Sequence, residues 1–301
     1  MTNLDRRVNG TTVLTGLIGN PVAHTVSPVL QNSFFTAMGI NGVYLPFRVP
    51  AGSIGEAVKG LKSLGFAGFN VTIPYKYDII GLTDEINEEV KLLGAANTVK
   101  IINRKLYAYN TDADGFARAF EEQTGTGFEG KSVCVLGAGG TAKALAVKIA
   151  LKGARLVHII NRTETKAIEL ASNINSILTG RGSAGNVAIA AGSDSDEAFL
   201  QLKECDIIVN TTSVGMHPDI DNCPLKREFV FQSRQIVYDT IYNPVQTVLL
   251  KNAKACGCKT VNGAGMLFHQ GLRAFEIWTE TAVPQNISND LLVKFLKFLE
   301  G

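Results

Sequence analysis

The sequence predicts an α/β fold built from two domains, and three observations carry that prediction. The chain has 301 residues, which is more than a single hydrophobic core usually contains. Strand-like and helix-like segments alternate through the first third, a pattern that favours a mostly parallel sheet. A buried strand then runs into a glycine-rich turn and a helix at residues 133–142, and this unit starts a second α/β domain.

The first part of the chain provides the elements of the N-terminal domain. Strands are predicted at 13–19, at 43–49 and from residue 68, and helices at 27–38, 53–65 and 84–93. Residues 98–110 are typical of a hairpin that turns near Asn103 and Arg104. Ser27 precedes Pro28, so it is also a candidate N-cap for the helix that starts there.

The pattern changes near residue 113. A helix at 114–123 and a glycine-rich linker at 124–131 lead into the second α/β unit, and further strands are predicted at 205–212, 235–242 and 258–261. Two helices close the chain from Met266 onward. We therefore expect residues 114–264 to form a domain inserted between residues 1–113 and the helices of 265–301, which return to the first domain.

Composition and charge exclude several classes of protein. The chain is 46% hydrophobic and 19% charged, which indicates a folded protein, and its net charge of +2 without a basic cluster argues against nucleic-acid binding. No apolar run approaches the roughly 20 residues of a membrane span, so no membrane association is expected. The odd count of 5 cysteines favours reduced thiols and a cytoplasmic location. Cys256 and Cys258 lack a second Cys or His pair, so no metal site is expected.

The glycine-rich turn has the pattern of a dinucleotide-binding site of the Rossmann type. Residues 133–136 run directly into Gly137, Ala138, Gly139 and Gly140, with Ala142 at the position of the third glycine. Gly137 permits the tight turn, and Gly139 lets the backbone approach a pyrophosphate at the helix N-terminus. The alternative is a glycine-rich turn that binds no ligand.

The end of the next strand favours NADP over NAD. NAD sites place an Asp or Glu there, about 20 residues beyond the turn, to bind the ribose 2′-hydroxyl. Here that position is Asn161, followed by Arg162 and Thr163, with Lys166 nearby. Two cations and no strand-end carboxylate suit a 2′-phosphate. Glu164 is a carboxylate just beyond the strand end that would favour NAD, so NAD remains the alternative cofactor.

The segment GFNVTIPYK at residues 68–76 alternates apolar and polar side chains, as a half-buried strand does. Its apolar positions would anchor the strand in the core; they are Phe69, Val71, Ile73 and Tyr75. Pro74 would end the ladder of hydrogen bonds. Taken alone, the segment is an edge strand with a polar face.

Eight motifs in order give the chain a resemblance, over nearly its whole length, to the shikimate dehydrogenase family with its quinate/shikimate dehydrogenase members. The motifs are GNPVAHTVSP (19–28), GFNVTIPYK (68–76), GAANT (94–98), YNTD (109–112), VLGAGGTAKA (135–144), NRT (161–163), NTTSVGM (210–216) and NGAGMLFHQ (262–270).

The resemblance implies an N-terminal α/β substrate domain and an inserted Rossmann-type NADP-binding domain, with an active-site cleft between them. It implies an NADP-dependent oxidoreductase that reversibly reduces 3-dehydroshikimate to shikimate in aromatic amino acid (chorismate) biosynthesis. The alternative within the family is a quinate/shikimate dehydrogenase that uses NAD and accepts quinate. The partners are small molecules; a homodimer is left open, since the sequence does not give the oligomeric state.

The resemblance also implies a role for each matching residue. Lys76 and Asp112 match the catalytic acid–base pair, and which of the two takes the proton is left open. The residues that match substrate-binding groups are Thr25 and Ser27 for the carboxylate, Asn70, Thr72, Asn97 and Gln270 for the ring hydroxyls, and Tyr242. Those that match the cofactor site are Gly137, Ala138, Gly139, Gly140, Asn161, Arg162, Thr163, Lys166, Thr211 and Gly263.

Three positions depart from the family pattern. Thr25 stands where a serine is usual, which adds a methyl group beside the substrate carboxylate. The methyl group changes the pocket size and so affects the preference between shikimate and quinate. Ala113 follows Asp112, where a glycine is frequent, and Thr240 replaces a methionine in the floor under the nicotinamide. A non-catalytic NADP-binding sensor on the same fold is disfavoured because Lys76 and Asp112 are both present. A related dehydrogenase acting on folate or an aminoacyl substrate is disfavoured by the combined substrate motifs.

Overall fold

The chain forms two compact units. The computed structural model describes residues 8–182, 185–225 and 229–300. The first unit contains residues up to 111 together with 268–295, and the second contains 112–267 together with 296–300. The sequence places the domain boundaries at 113 and 265 and assigns all of 265–301 to the first domain. The assignment of a substrate domain and a cofactor domain stays a prediction.

The first unit contains a six-stranded mixed sheet in the order β2-β1-β3-β5-β6-β4. The strands are β1 (Val13–Gly19), β2 (Gly42–Arg48), β3 (Gly68–Val71), β4 (Glu85–Ile86), β5 (Thr98–Ile102) and β6 (Lys105–Tyr109). Strands β1 to β3 are parallel, while β5 is antiparallel to both β3 and β6. The β5–β6 turn falls at Asn103 and Arg104 as predicted, and both have positive φ, at 48° and 63°.

The helices of the first unit cover this sheet. They are α1 (Ser27–Ala37), α2 (Ile54–Ser63), α3 (Glu88–Leu93), most of α9 (Ala264–Thr279) and most of α10 (Gln285–Glu300), with a 3₁₀ turn at Asp78–Leu82. Helix α9 packs on α1, where the ring of Phe34 lies 5.5 Å from that of Phe268 and 5.4 Å from that of Phe275. Gln31 Nε2 adds a hydrogen bond to the main-chain oxygen of Gly271 at 2.8 Å.

Three local predictions in the first unit are wrong. The predicted helix at 84–93 begins only at Glu88, because residues 85–86 pair with β6 as a short strand. Ser27 is the first helical residue of α1, and no side-chain cap bond forms at that helix start. The strand of GFNVTIPYK ends at Val71, and Ile73 is 69% exposed and therefore does not anchor a core.

The second unit contains a six-stranded sheet in which every strand pair is parallel. The strands are β7 (Ser132–Leu136), β8 (Leu156–Asn161), β9 (Ala188–Gly192), β10 (Ile207–Asn210), β11 (Ile236–Asp239) and β12 (Lys259–Val261). Their order, β12-β11-β10-β7-β8-β9, is that of the doubly wound dinucleotide-binding fold. The structure therefore confirms the predicted fold class, an α/β protein with a Rossmann-type sheet.

Helices connect the strands of this second sheet. They are α4 (Asp112–Thr124), α5 (Gly140–Leu151), α6 (Glu164–Thr179), α7 (Asp196–Glu204) and α8 (Val248–Ala255). The sequence patterns did not predict α6, β9, α7 or α8. Along the described ranges, no helix is long and apolar enough to cross a membrane.

Candidate active site

The glycine-rich turn is shaped by contacts that only glycine permits at its first position. Gly137 has φ 109°, and a Cβ on it would lie 2.7 Å from the hydroxyl oxygen of Thr211. Its amide donates to the Ile160 carbonyl at 2.8 Å, and the Thr211 hydroxyl donates to the Leu136 carbonyl at 2.6 Å. Gly137 and Thr211 thus hold the ends of β7, β8 and β10 together at one edge of the sheet.

The second glycine leaves room for a ligand. Gly139 precedes α5, and a Cβ on it would meet nothing within 4 Å. Gly140 is the first residue of that helix, whose leading amides have no partner within the helix and can bind an anion. Ala142 is fully buried, so its methyl group fits the contact that a third glycine makes elsewhere. The turn fits a pyrophosphate.

A cavity of about 800 Å³ opens beside this turn, within the second unit. It is lined by Gly137, Ala138, Gly139, Asn161, Arg162, Thr163, Lys166 and Thr211, all predicted cofactor residues. Gly140 and Gly263 are not among its lining residues. Gly263 instead packs against β11, where a Cβ would lie 2.0 Å from the Thr240 carbonyl oxygen.

The cations of this cavity are available to a ligand. Arg162 and Lys166 are exposed, and neither forms a salt bridge with another residue in the described part of the chain. Asn161 Nδ2 donates to the Thr163 carbonyl at 2.8 Å, and this hydrogen bond shapes the turn that contains Arg162. These groups are suited to a phosphate on the ribose.

Sequence reasoning missed one wall of the cavity. Ser193, Asp194, Ser195 and Asp196 follow β9 and line the cavity beside the end of β8, and Phe199 of α7 adds an aromatic ring. The strand escaped notice because AIAAG contains a single β-branched residue, which gives a weak strand signal. Its neighbours, the serines and aspartates of GSDSD, mark the turn at the strand end. Two carboxylates therefore share the cavity with Arg162 and Lys166.

A second set of predicted residues meets in the first unit through hydrogen bonds. The Thr25 hydroxyl donates to the Ser27 hydroxyl at 3.2 Å, and the same Thr25 oxygen accepts from the Ser27 amide at 3.3 Å. The Tyr44 hydroxyl donates to Asn70 Oδ1 at 2.8 Å. Tyr44 was not predicted as a site residue, although it is a hydrogen-bond partner of Asn70.

The network continues from Asn70 into the β5–β6 hairpin. Asn70 Nδ2 donates to the main-chain oxygen of Asn97 at 3.1 Å and to the hydroxyl of Thr98 at 3.0 Å. Asn97 in turn exchanges hydrogen bonds with Thr111, whose amide donates to Asn97 Oδ1 at 2.7 Å. The motifs GAANT and YNTD are therefore joined, and Asp112 follows directly on Thr111.

The remaining predicted residues occupy defined positions outside this network. Thr72 leaves the sheet just after β3, and its amide donates to the Ile18 carbonyl at 3.0 Å. Lys76 is half-buried in the first unit, and its main-chain oxygen accepts from Ala96 at 2.9 Å. Gln270 is buried on α9 of the same unit.

Two of the residues predicted for catalysis or substrate binding belong to the second unit. Asp112 is half-buried at the start of α4, where the helix N-terminus favours a carboxylate. Tyr242 is half-buried after β11, and burial raises the pKa of its phenol. The roles of the two residues on the substrate side stay predictions.

Comparison with protein families gives matches along most of the chain. Residues 17–99 match the shikimate dehydrogenase substrate binding domain, residues 119–217 match shikimate / quinate 5-dehydrogenase, and residues 263–287 match the shikimate 5′-dehydrogenase C-terminal domain. Among curated proteins, a shikimate dehydrogenase (NADP⁺) of Methanopyrus kandleri is 39% identical over 290 residues, which is 96% of this chain and 98% of that protein.

Solved structures agree with these matches. A shikimate dehydrogenase in complex with NADP⁺ superposes with a TM-score of 0.86 at 39% identity, covering 96% of this chain and 97% of the other. A shikimate 5-dehydrogenase of Listeria monocytogenes, solved with shikimate and NAD, gives a TM-score of 0.87 at 33% identity, covering 96% and 99%.

Proposed function

The chain belongs to the shikimate dehydrogenase family, and on that premise we propose that it reversibly reduces 3-dehydroshikimate to shikimate with NADPH. The observation that carries the proposal is the cavity beside the glycine-rich turn, because its wall combines that turn with Arg162 and Lys166. When bound, the cofactor supplies or accepts the hydride. Gly139 and the start of α5 would hold its pyrophosphate, and Arg162, Thr163 and Lys166 its 2′-phosphate.

The polar network of the first unit would bind the substrate. Thr25 and Ser27 would donate to the carboxylate, and Asn70, Thr72, Asn97 and Gln270 would bind ring hydroxyls. The Thr25 hydroxyl hydrogen is engaged within the protein, on Ser27. A hydroxyl hydrogen rotates freely about its C–O bond, so both hydroxyls can turn a hydrogen toward an arriving carboxylate.

Proton transfer is assigned to Lys76 and Asp112. In reduction, the carbonyl oxygen becomes a hydroxyl and needs a proton, which the Lys76 ammonium can donate. A positioned acid of this kind contributes roughly 10²- to 10⁴-fold to the rate. Asp112 is the proposed acidic partner of Lys76, and Tyr242 is a further residue proposed to contact the substrate.

The proposal extends to the surroundings of the enzyme. We place it in the cytoplasm, which agrees with the free thiols of Cys134, Cys205, Cys223, Cys256 and Cys258. Its partners are the two small molecules of the reaction, without nucleic acid or membrane, and a homodimer is left open.

Initial rates with shikimate and quinate, each against NADP and NAD, test the proposed function. We expect the highest kcat/KM with shikimate and NADP. A higher kcat/KM for quinate with NAD would instead favour the quinate/shikimate alternative. Absence of turnover with all four pairs would contradict a dehydrogenase altogether.

The double variant Arg162→Ala, Lys166→Ala tests the cofactor assignment. It is expected to lower kcat/KM for NADP about tenfold, since charge-assisted bonds to the 2′-phosphate are lost. The kcat/KM for NAD, which lacks that phosphate, should stay within about twofold of the wild-type value. Arg118→Ala is the control, because this arginine pairs with Glu122 at 2.8 Å and lines no part of the cavity. Equal losses with both cofactors would contradict the assignment.

A further inference from the structure

The orientation of the Asn70 side chain is determined by its surroundings. The main-chain oxygen of Asn97 can only accept a hydrogen bond, and it lies 3.1 Å from one end of the Asn70 carboxamide. That end must therefore be the nitrogen. Its second hydrogen goes to the Thr98 hydroxyl at 3.0 Å, so both amide hydrogens are used within the protein.

The opposite end of the carboxamide is the oxygen, which faces Tyr44. Because Oδ1 carries no hydrogen, the Tyr44 hydroxyl must be the donor in their 2.8 Å bond. Tyr44 is fully buried, and burial raises the pKa of its phenol, so this donor is retained at neutral pH. The single phenolic hydrogen is thereby used.

Asn70 consequently has one hydrogen-bonding position left, the second lone pair of Oδ1. That position accepts a hydrogen from a ligand hydroxyl and repels a carbonyl oxygen. The reacting oxygen of the substrate is a ketone in one direction of the reaction, so it cannot be the group that Asn70 binds in both directions. A hydroxyl that stays a hydroxyl throughout the reaction fits.

We propose that Tyr44 is a positioning residue that, together with Asn97 and Thr98, holds Asn70 with only an acceptor position left for the ligand, which selects a non-reacting ring hydroxyl of the substrate. The inference rests on the proposed function in one respect, that the ligand is a hydroxylated ring acid.

A double-mutant cycle on shikimate affinity tests the proposal. The dissociation constant is measured by calorimetry for the wild type, Tyr44→Phe, Asn70→Ala and the double variant. Tyr44→Phe should weaken binding about tenfold in the wild-type background, and less than about twofold when Asn70 is already alanine. A larger loss in the Asn70→Ala background, or no loss in the wild-type background, overturns the proposal.

Two analogues of shikimate, each lacking one of the two non-reacting ring hydroxyls, identify the selected group. The analogue without the hydroxyl that donates to Asn70 should show less than about a twofold penalty from Tyr44→Phe, while the other shows the full tenfold penalty. Equal penalties with both analogues would contradict selection of one hydroxyl.

Trp278→Phe is the structural control. Trp278 packs on Tyr44 with ring centroids 5.9 Å apart, and its Nε1 donates to the Val99 carbonyl at 2.9 Å. The variant loses a buried hydrogen bond in the same unit, so it should lower Tm without changing the ratio of affinities for shikimate and the two analogues. A protein that binds shikimate with this pattern but does not reduce NADP would contradict the proposed function and leave the role of Tyr44 supported. A protein that binds no shikimate overturns both.

Discussion

Replacing Lys76 with alanine is expected to lower kcat for shikimate oxidation at least ~100-fold while the KM for shikimate changes little. Loss of a positioned acid–base group removes stabilisation of the transition state, whereas ring hydroxyls and carboxylate would still be bound by the polar network of the first unit. Steady-state rates at saturating NADP measure both constants.

Lys91→Ala is the matched control for this variant. Lys91 is an exposed lysine of the same unit that pairs with Glu88 at 2.6 Å, a contact worth only about 0.3–0.5 kcal/mol to stability. Its removal should leave kcat unchanged. Turnover by Lys76→Ala at the wild-type rate would exclude Lys76 as the acid–base group.

Replacing Gly139 with alanine is expected to raise the dissociation constant of NADPH at least about a hundredfold. In the protein alone the added methyl group meets nothing within 4 Å. It would fill the space through which a pyrophosphate approaches the backbone, and losing two charge-assisted hydrogen bonds costs about 3–6 kcal/mol. Fluorescence titration with NADPH measures the affinity.

The unfolding temperature separates this effect from a folding defect. Alanine is poorer than glycine at the residue before a helix, but the difference stays near 1 kcal/mol, so Gly139→Ala should fold. Gly127→Ala in the same unit is the control, since a Cβ there would lie 4.0 Å from Glu121 and away from the cavity. Wild-type NADPH affinity in Gly139→Ala would show that no pyrophosphate binds at this turn.

The Rossmann-type sheet was predictable because its strongest signal is local. The strand β7, the turn at Gly137 and the helix α5 are contiguous in sequence, and the positive φ of Gly137 needs glycine whatever the rest of the chain does. The hairpin at Asn103 and Arg104 was predictable for the same reason, because a two-residue turn determines its register.

Elements with weak local signals were missed or misplaced. The strand β9 is rich in alanine, and it is held in the sheet by parallel pairing with β8 rather than by its own propensity. Residues 85–86 fell inside the helix predicted at 84–93, yet β6 pairs with them as a strand. Ile73 followed the alternation of a strand that in fact ends at Val71, so it lies exposed.

The fold class, the family and the candidate site residues could be predicted from motifs and periodicity, because both are properties of contiguous residues. The pairing of the polar residues depends instead on how the chain folds. Tyr44 meets Asn70 because β2 and β3 both flank β1 in the sheet, although 26 residues separate them along the chain. Periodicity shows that a side chain is buried, but its hydrogen-bond partner depends on which strands are neighbours. For this reason the fold was needed to identify Tyr44 as the donor to Asn70, and with it the acceptor position that Asn70 keeps for a ligand.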